Sequence, residues 1–243
     1  SRNVFLSLFV FGLLSGCASL PGPIERAEQR AVPVTGDSAL DYTIADFLAP
    51  YPGQSAAHFL KDGLDAFAAR LTVADRASRS IDAQYYLFHD DVTGGLYAER
   101  LLRAAERGVK VRLLLDDMGA HRRDDFLLAL DHHPNFEIRI FNPFANRKIR
   151  ALEYLYRFGL VTRRMHNKSM VVDGVVAITG GRNIGDDYFD ASHKSNFIDM
   201  DVMVFGPAVD EVGGQFDQYW NSPLSYDIQT LARRRPAPAD VLS

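Results

Sequence analysis

The chain has 243 residues, 47% of them hydrophobic and 24% charged, which is the make-up of an ordinary globular protein and excludes a disordered chain or a collagen-like fibre. At about 150 residues per domain, this length holds one large core or two small ones. Lysine and arginine number 27 against 31 acids, a net charge of −4, so there is no global basic footprint of a nucleic-acid binder, and any anion binding must rest on local charge.

At the front, Arg2 precedes the apolar run from Val4 to Leu14, which is too short for a bilayer-spanning helix of about 20 residues. A positive start, an apolar core and small residues behind it are the parts of a secretory signal. The stretch Leu14-Ser15-Gly16-Cys17 resembles the lipobox of bacterial lipoprotein precursors, with an uncleaved anchor as the alternative. That resemblance implies a signal over residues 1–17, lipidation at Cys17, and a lipid-anchored protein of the bacterial cell envelope facing the periplasm. It also accounts for the only cysteine, which can form no internal disulfide. Pro21, Pro23, Pro33 and Gly36-Asp37-Ser38 then read as a tether over residues 18–54.

Leu60, Leu64, Phe67 and Leu71 recur at helical steps and predict a helix over about 56–76. Alternation from Ile81 to Leu87 predicts a strand, Leu96–Arg107 a helix stopped by Gly108, and Val109–Leu115 a second strand. Residues 122–131 read as helix and Phe136–Ile140 as a third strand. Strands alternating with helices define an α/β class with a mixed, largely parallel sheet flanked by helices. Met170–Val172 and Val175–Ile178 are β-rich runs around Asp173-Gly174, a favoured hairpin turn. A turn centred there pairs Lys168 with Thr179 and His166 with Gly181, and leaves Asn183 just past the strand. A strand at Asp201–Phe205 and a helix opening at Pro207 complete a domain over 55–222, with 223–243 as a linker or tail.

His166 and Lys168, two apart on a strand, share one face. The hairpin returns Gly180, Gly181 and Asn183 beside them, joining a possible nucleophile, a fixed positive charge, an amide and glycine backbone that an anion can approach closely. That set suits a phosphodiester: an imidazole nitrogen can attack phosphorus while Lys168 and Asn183 stabilise charge on the non-bridging oxygens, with no metal and no cofactor. Asp199 or Asp201 is a candidate to orient His166 by accepting a hydrogen bond from its far nitrogen, and either also suits a strand start.

The positions His166, Lys168, Asp173, Gly180, Gly181 and Asn183 read H-x-K-x4-D-x6-G-G-x-N, a pattern that resembles the phospholipase D superfamily. Ser80–Tyr86, Val111–Asp116, Phe141–Pro143, Arg164–Lys168, Gly180–Gly185 and Asp199–Val202 are similar to bacterial cardiolipin synthases, so the likeness covers about residues 55–222. It implies a phosphatidyl transfer between alcohols through a phosphohistidine at His166, on an anionic phospholipid such as phosphatidylglycerol. His166, Lys168 and Asp173 stand as the catalytic set, with Lys168, Asn183 and Gly181 on the phosphate. The superfamily usually has serine where Gly181 stands, so a backbone N–H would replace a hydroxyl. A second histidine is needed to protonate the leaving alcohol, and this sequence holds one motif copy, which implies either a missing C-terminal half or a homodimer.

Asp173 also fits a purely structural place at the first turn position. Arg147, Lys148, Arg150, Arg157, Arg163 and Arg164, interleaved with Tyr154, Tyr156 and Phe158, form a candidate headgroup patch or a solvated helix face. The same patch would serve a nuclease or phosphodiesterase of the single-motif dimer type, against which the net charge argues. His132-His133 reads as a turn, and Asp116-Asp117 as a helix-capping loop. A membrane-tethered, catalytically inactive binder of anionic lipids is the reading outside enzymes.

Overall fold

The computed structural model describes residues 20–21, 26–120, 123–145, 150 and 153–232. The proposed signal and Cys17 lie outside them. Eight strands form one sheet: β1 (Ala56–Leu60), β2 (Ser80–Tyr85), β3 (Lys110–Asp116), β4 (Phe136–Phe141), β5 (Ser169–Val172), β6 (Val176–Gly180), β7 (Asp201–Phe205) and β8 (Ser225–Asp227). The helices are α1 (Ala39–Leu48), α2 (Gly63–Arg76), α3 (Val92–Glu106), α4 (Asp124–Asp131), α5 (Glu153–Tyr156), α6 (Phe158–Val161), α7 (Ala208–Trp220) and α8 (Ile228–Leu231).

The strand order is β1-β7-β6-β5-β2-β3-β4-β8. The class is α/β with a single sheet flanked by helices, as expected, but the strand directions differ from the largely parallel expectation. Only β2–β3 and β3–β4 are parallel, and the other pairings are antiparallel. On one side the hairpin β5–β6 causes this, because it enters the sheet beside β2 in the reverse direction and β7 and β1 follow by antiparallel pairing; on the other, β8 adds antiparallel to β4.

The two faces divide the core by strand parity. Ile81, Ala83, Val111, Leu113, Ile138, Ile140, Met170 and Ile178 pack with Ala66, Phe67 and Val73 of α2, Leu101 of α3 and Leu127 of α4. On the other face Leu114 packs with Phe216 and Trp220, and Val171 and Ala177 with Val209, all three partners on α7. The central strands are buried on both faces, so their polar residues need partners. Asp82 and Arg112 stand opposite each other in the β2–β3 register and pair at 2.6 and 2.8 Å, with the guanidinium 4.8 Å from the Phe216 ring centroid.

Three predicted boundaries move. The helix expected over 56–76 is a strand, β1, followed by α2, which opens at Asp62 where the side chain accepts from the Leu64 and Asp65 N–H groups. Its buried face is Ala66, Phe67, Arg70, Val73 and Ala74, while Leu64 is exposed. The tether expected over 18–54 contains α1, opened by a Ser38–Asp41 capping box. Upstream of it a strap docks on α7 and its C-cap: Ala31 N–H donates to Asp217, Gln29 N–H to Asn221, and the Trp220 indole to the Gln29 side-chain carbonyl oxygen. The tail expected from 223 contributes β8 and α8, with β8 pairing to β4 and Ile228 buried. Proline and glycine marked irregular backbone there correctly, but irregular backbone held by side chains is still part of the domain.

Candidate functional site

His166 and Lys168 lie in an irregular run, residues 163–168, that leads into β5. The run emerges where the parallel strands β2, β3 and β4 end, since β5 pairs antiparallel to β2 and Ser169 stands opposite Gln84. The turn that aligns β5 with β6 has Asp173 and Gly174 both in the left-handed region, at φ 53° and 71°. Val175 donates to the Val172 carbonyl but is left out of the ladder, so Val172 pairs with Val176. This extra residue shifts the expected register by one: Ser169, not Lys168, faces Thr179, and Lys168 accepts from Gly180 N–H at 3.3 Å.

The His166 ring is exposed and lies 4.8 Å from the Tyr86 ring, centroid to centroid. Beneath it Lys168 is buried, with Nζ 2.9 Å from His166 Nδ1 and donating to the His166 carbonyl oxygen at 2.7 Å. Burial pushes the Lys168 ammonium below the usual lysine value, and the charge of Asp199 draws it part of the way back. Asn183 is buried beside them, its carbonyl oxygen accepting from Leu87 N–H at 2.9 Å. The end of β2 is therefore the common support: Tyr86 meets His166, and Leu87 meets Asn183.

The other candidates separate. Asp199 is half-buried at the site, where its charge acts on both Lys168 and Tyr188. It also fills the space next to Gly181, since a Cβ there would come within 2.1 Å of Asp199 Oδ1. This explains why position 181 is glycine, with no room for a side chain. The Gly181 N–H donates to the Met200 carbonyl, so it does not take the expected phosphate-binding place. Asp201 is fully buried and committed elsewhere: it pairs with Arg70 at 2.9 Å and accepts from Arg182 N–H. That leaves Asp199 as the orienting candidate at the site.

Asp173 is also displaced from the catalytic set. It sits at the far end of the hairpin, fully buried, accepting from Ser78 N–H and Oγ and from the N–H groups of Arg79 and Ser80. Four hydrogen bonds to the entry of β2 leave it a structural role. The expected basic patch is largely neutralised, because Arg150 pairs with Asp117, Arg157 with Glu153 and Arg164 with Asp116. Arg147 and Lys148 lie outside the described residues. Asp116 and Asp117 cap no helix but are buried beside the run that carries His166. Sequence reasoning missed Tyr86, Tyr188 and Asp116 as parts of the site. Only the position of Tyr86 and Asp116 at strand ends, where α/β sites form, signalled them.

Among the described residues, no group of three His, Cys, Asp or Glu side chains stands close enough to hold a metal ion, and no helix is long and apolar enough to cross a membrane.

An exposed imidazole with a buried lysine beneath it, an amide beside it and a carboxylate at its rim defines the class, and comparison with known proteins agrees. Residues 71–220 match the family described as cardiolipin synthase, PLD-like domain, and the chain belongs to that family of the phospholipase D superfamily. It is 51% identical over 170 residues to cardiolipin synthase C of Escherichia coli strain K12, a match covering 70% of this chain and 36% of that protein. An uncharacterized protein of Helicobacter pylori is 38% identical over 232 residues, 94% of this chain and 45% of the relative. The chain thus spans less than half the length of these relatives. Among solved structures, Nuc from Salmonella typhimurium, a phospholipase D family member, aligns with a TM-score of 0.50 at 18% identity, over 72% of this chain and 97% of its own. Phosphatidylserine synthase of Haemophilus influenzae Rd KW20 aligns with a TM-score of 0.56 at 16% identity, over 76% and 41%. At such identities these two share the fold.

Proposed function

We propose that this domain supplies the nucleophilic half of a phosphatidyl-transfer site acting on an anionic phospholipid such as phosphatidylglycerol. The carrying observation is the exposed His166 imidazole held 2.9 Å above the buried Lys168 ammonium. A His166 nitrogen attacks phosphorus, the P–O bond to the leaving alcohol breaks, and that alcohol takes a proton. An incoming alcohol, or water, then attacks the phosphohistidine and gives its proton to the group that protonated the leaving alcohol, the P–N bond breaks, and the histidine is restored. Lys168 and the Asn183 amide meet the charge that grows on the non-bridging oxygens. The proton donor is a second histidine from the remainder of a longer protein or from a second copy of this chain. A lipid anchor at Cys17, facing the periplasm, places the site at its substrate.

The rim favours lipid over nucleic acid. Phe197 and Met200 are 52% and 50% exposed and Ile198 is fully exposed, so an apolar lip flanks Asp199. Such a lip matches an acyl chain beside a charged headgroup, whereas three of the arginines that a polynucleotide backbone would meet are paired with acids.

The test is a brief incubation with phosphatidylglycerol vesicles carrying a ³²P-labelled headgroup phosphate, and in parallel with labelled DNA. Acid-labile, base-stable label from the lipid on the wild type and none on His166→Ala, with equal thermal stability because the side chain is exposed, is the expected result. Label retained by the variant, or acquired from DNA alone, refutes the reading.

A further inference from the structure

The nucleophile sits on backbone that no strand or helix holds. Residues 163–168 make no ladder, and their polar groups must find partners elsewhere. Two side chains from neighbouring strand ends provide them just upstream of His166. Asp116, the last residue of β3, accepts from Met165 N–H at 2.9 Å. Asn142, just past β4, donates from Nδ2 to the Arg163 carbonyl at 2.7 Å. Between these two backbone contacts the Arg164 guanidinium bridges the same pair, donating from Nη1 to Asp116 at 3.0 Å and from Nη2 to the Asn142 carbonyl at 2.5 Å.

We propose that Asp116 and Asn142, bridged by Arg164, are positioning residues that fix the place of His166 over Lys168. The proposal deepens the functional reading above and rests on it for its kinetic test.

Three further observations support it. Asp116 is fully buried and is kept there at an electrostatic cost: burial pushes its carboxyl up to about 6, although Arg164 and the Met118 and Met165 N–H groups favour its charged form. Asn142 holds a left-handed backbone, φ 45°, a conformation that an ordinary side chain resists. The Arg164 guanidinium also lies over the Phe144 ring at 5.3 Å, and Phe144 N–H is itself held by Asp117.

Asn142→Gly deletes the amide while accepting the left-handed backbone, and Arg164→Lys keeps the charge but puts its donors on one nitrogen, without the two separated nitrogens that reach Asp116 and Asn142. These two carry the test, since Asp116→Ala strips a fully buried acceptor from Met118, Arg164 and Met165 and threatens the fold itself. A displacement of about 1 Å costs on the order of a hundredfold in rate, so each variant should lose roughly tenfold to a hundredfold in kcat with KM within about twofold. The double variant should lose little more than either single one, because both act through one displacement. Turnover is measured on a chromogenic phosphodiester, and the His166 ring is followed in parallel by long-range ¹H–¹⁵N NMR. Shifted or broadened His166 ring signals with an unchanged melting temperature support the clamp even where no turnover is seen, which separates it from failure of the functional reading. Unchanged ring signals, or a KM increase that accounts for the whole loss, overturn it.

Discussion

Asp173→Asn separates a structural motif residue from a catalytic one. The wild-type carboxylate accepts from three backbone N–H groups, those of Ser78, Arg79 and Ser80, at 2.7 to 2.9 Å, and from the Ser78 hydroxyl at 2.8 Å. Asparagine suits the left-handed backbone at 173, φ 53°, so the turn itself is not strained by the change. The new side chain has one acceptor oxygen. If it stays with Arg79 and Ser80, an NH2 group faces the N–H of Ser78, an exposed residue, and that donor turns to water. One charge-assisted bond is lost and the two remaining bonds lose the strength given by a charged acceptor, so a loss of about 2 kcal/mol is expected. In a domain of this size that lowers Tm by about 4–8 °C. Urea unfolding followed by circular dichroism measures it, and label transfer to His166 measured well below the new Tm should be unchanged. Wild-type stability in the variant, or lost transfer with stability intact, would refute the structural assignment.

Two further perturbations test the packing. Hydrogen bonds from Arg79 hold the Asp41 carboxyl down to about 2, so this pair stabilises the fold above about pH 4 and the contribution is lost as pH falls through 2. The Tm difference between wild type and Asp41→Asn should therefore be constant near neutrality and close on acidification, and a gap that persists at pH 2 contradicts it. Arg112→Leu leaves the Asp82 carboxylate buried and alone and should cost about 3–5 kcal/mol, while the double variant Asp82→Leu/Arg112→Leu recovers much of it; additive losses in urea melts would show that the pair is not coupled.

Much of the architecture was legible where side-chain period and burial coincide. Val109, Val111, Leu113 and Leu115 share one face, and the strand β3 is there; the turn residues Asp173 and Gly174 named the hairpin. Legibility failed where one residue decides between two periods. Leu60, Leu64, Phe67 and Leu71 fit a helix, yet Leu60 belongs to β1 and pairs with Asp201, and the buried face of α2 is built on alanines and Arg70, which a search for large apolar residues passes over. A similar limit applies to the site. His166, Lys168 and Asn183 were readable from spacing, because the chemistry needs those side chains at those offsets. That Asp201 pairs with Arg70, 131 positions earlier in the sequence, and that the Gly181 N–H is taken by Met200, depends on strand order, which no local pattern encodes. Asp173 was ambiguous in the sequence because turn geometry and motif ask for the same residue.

The strap described above imposes an order of events on the newly made chain. Gln29 and Ala31 are held by Asp217, Trp220 and Asn221, and Arg26 by Asp227, contacts that span 186 to 201 positions of sequence. Strand β1 likewise waits for β7. The segment that leaves the ribosome early thus has no place to dock until the α7 and β8 segments have followed it out, and loop closure over such separations is slow. During that interval Asp217 and Asn221 lack these partners, and so does the Trp220 indole N–H. A holdase that shields this face of α7 would raise the yield of folded protein, and a chain shortened to begin at β1 would leave the face permanently without its strap.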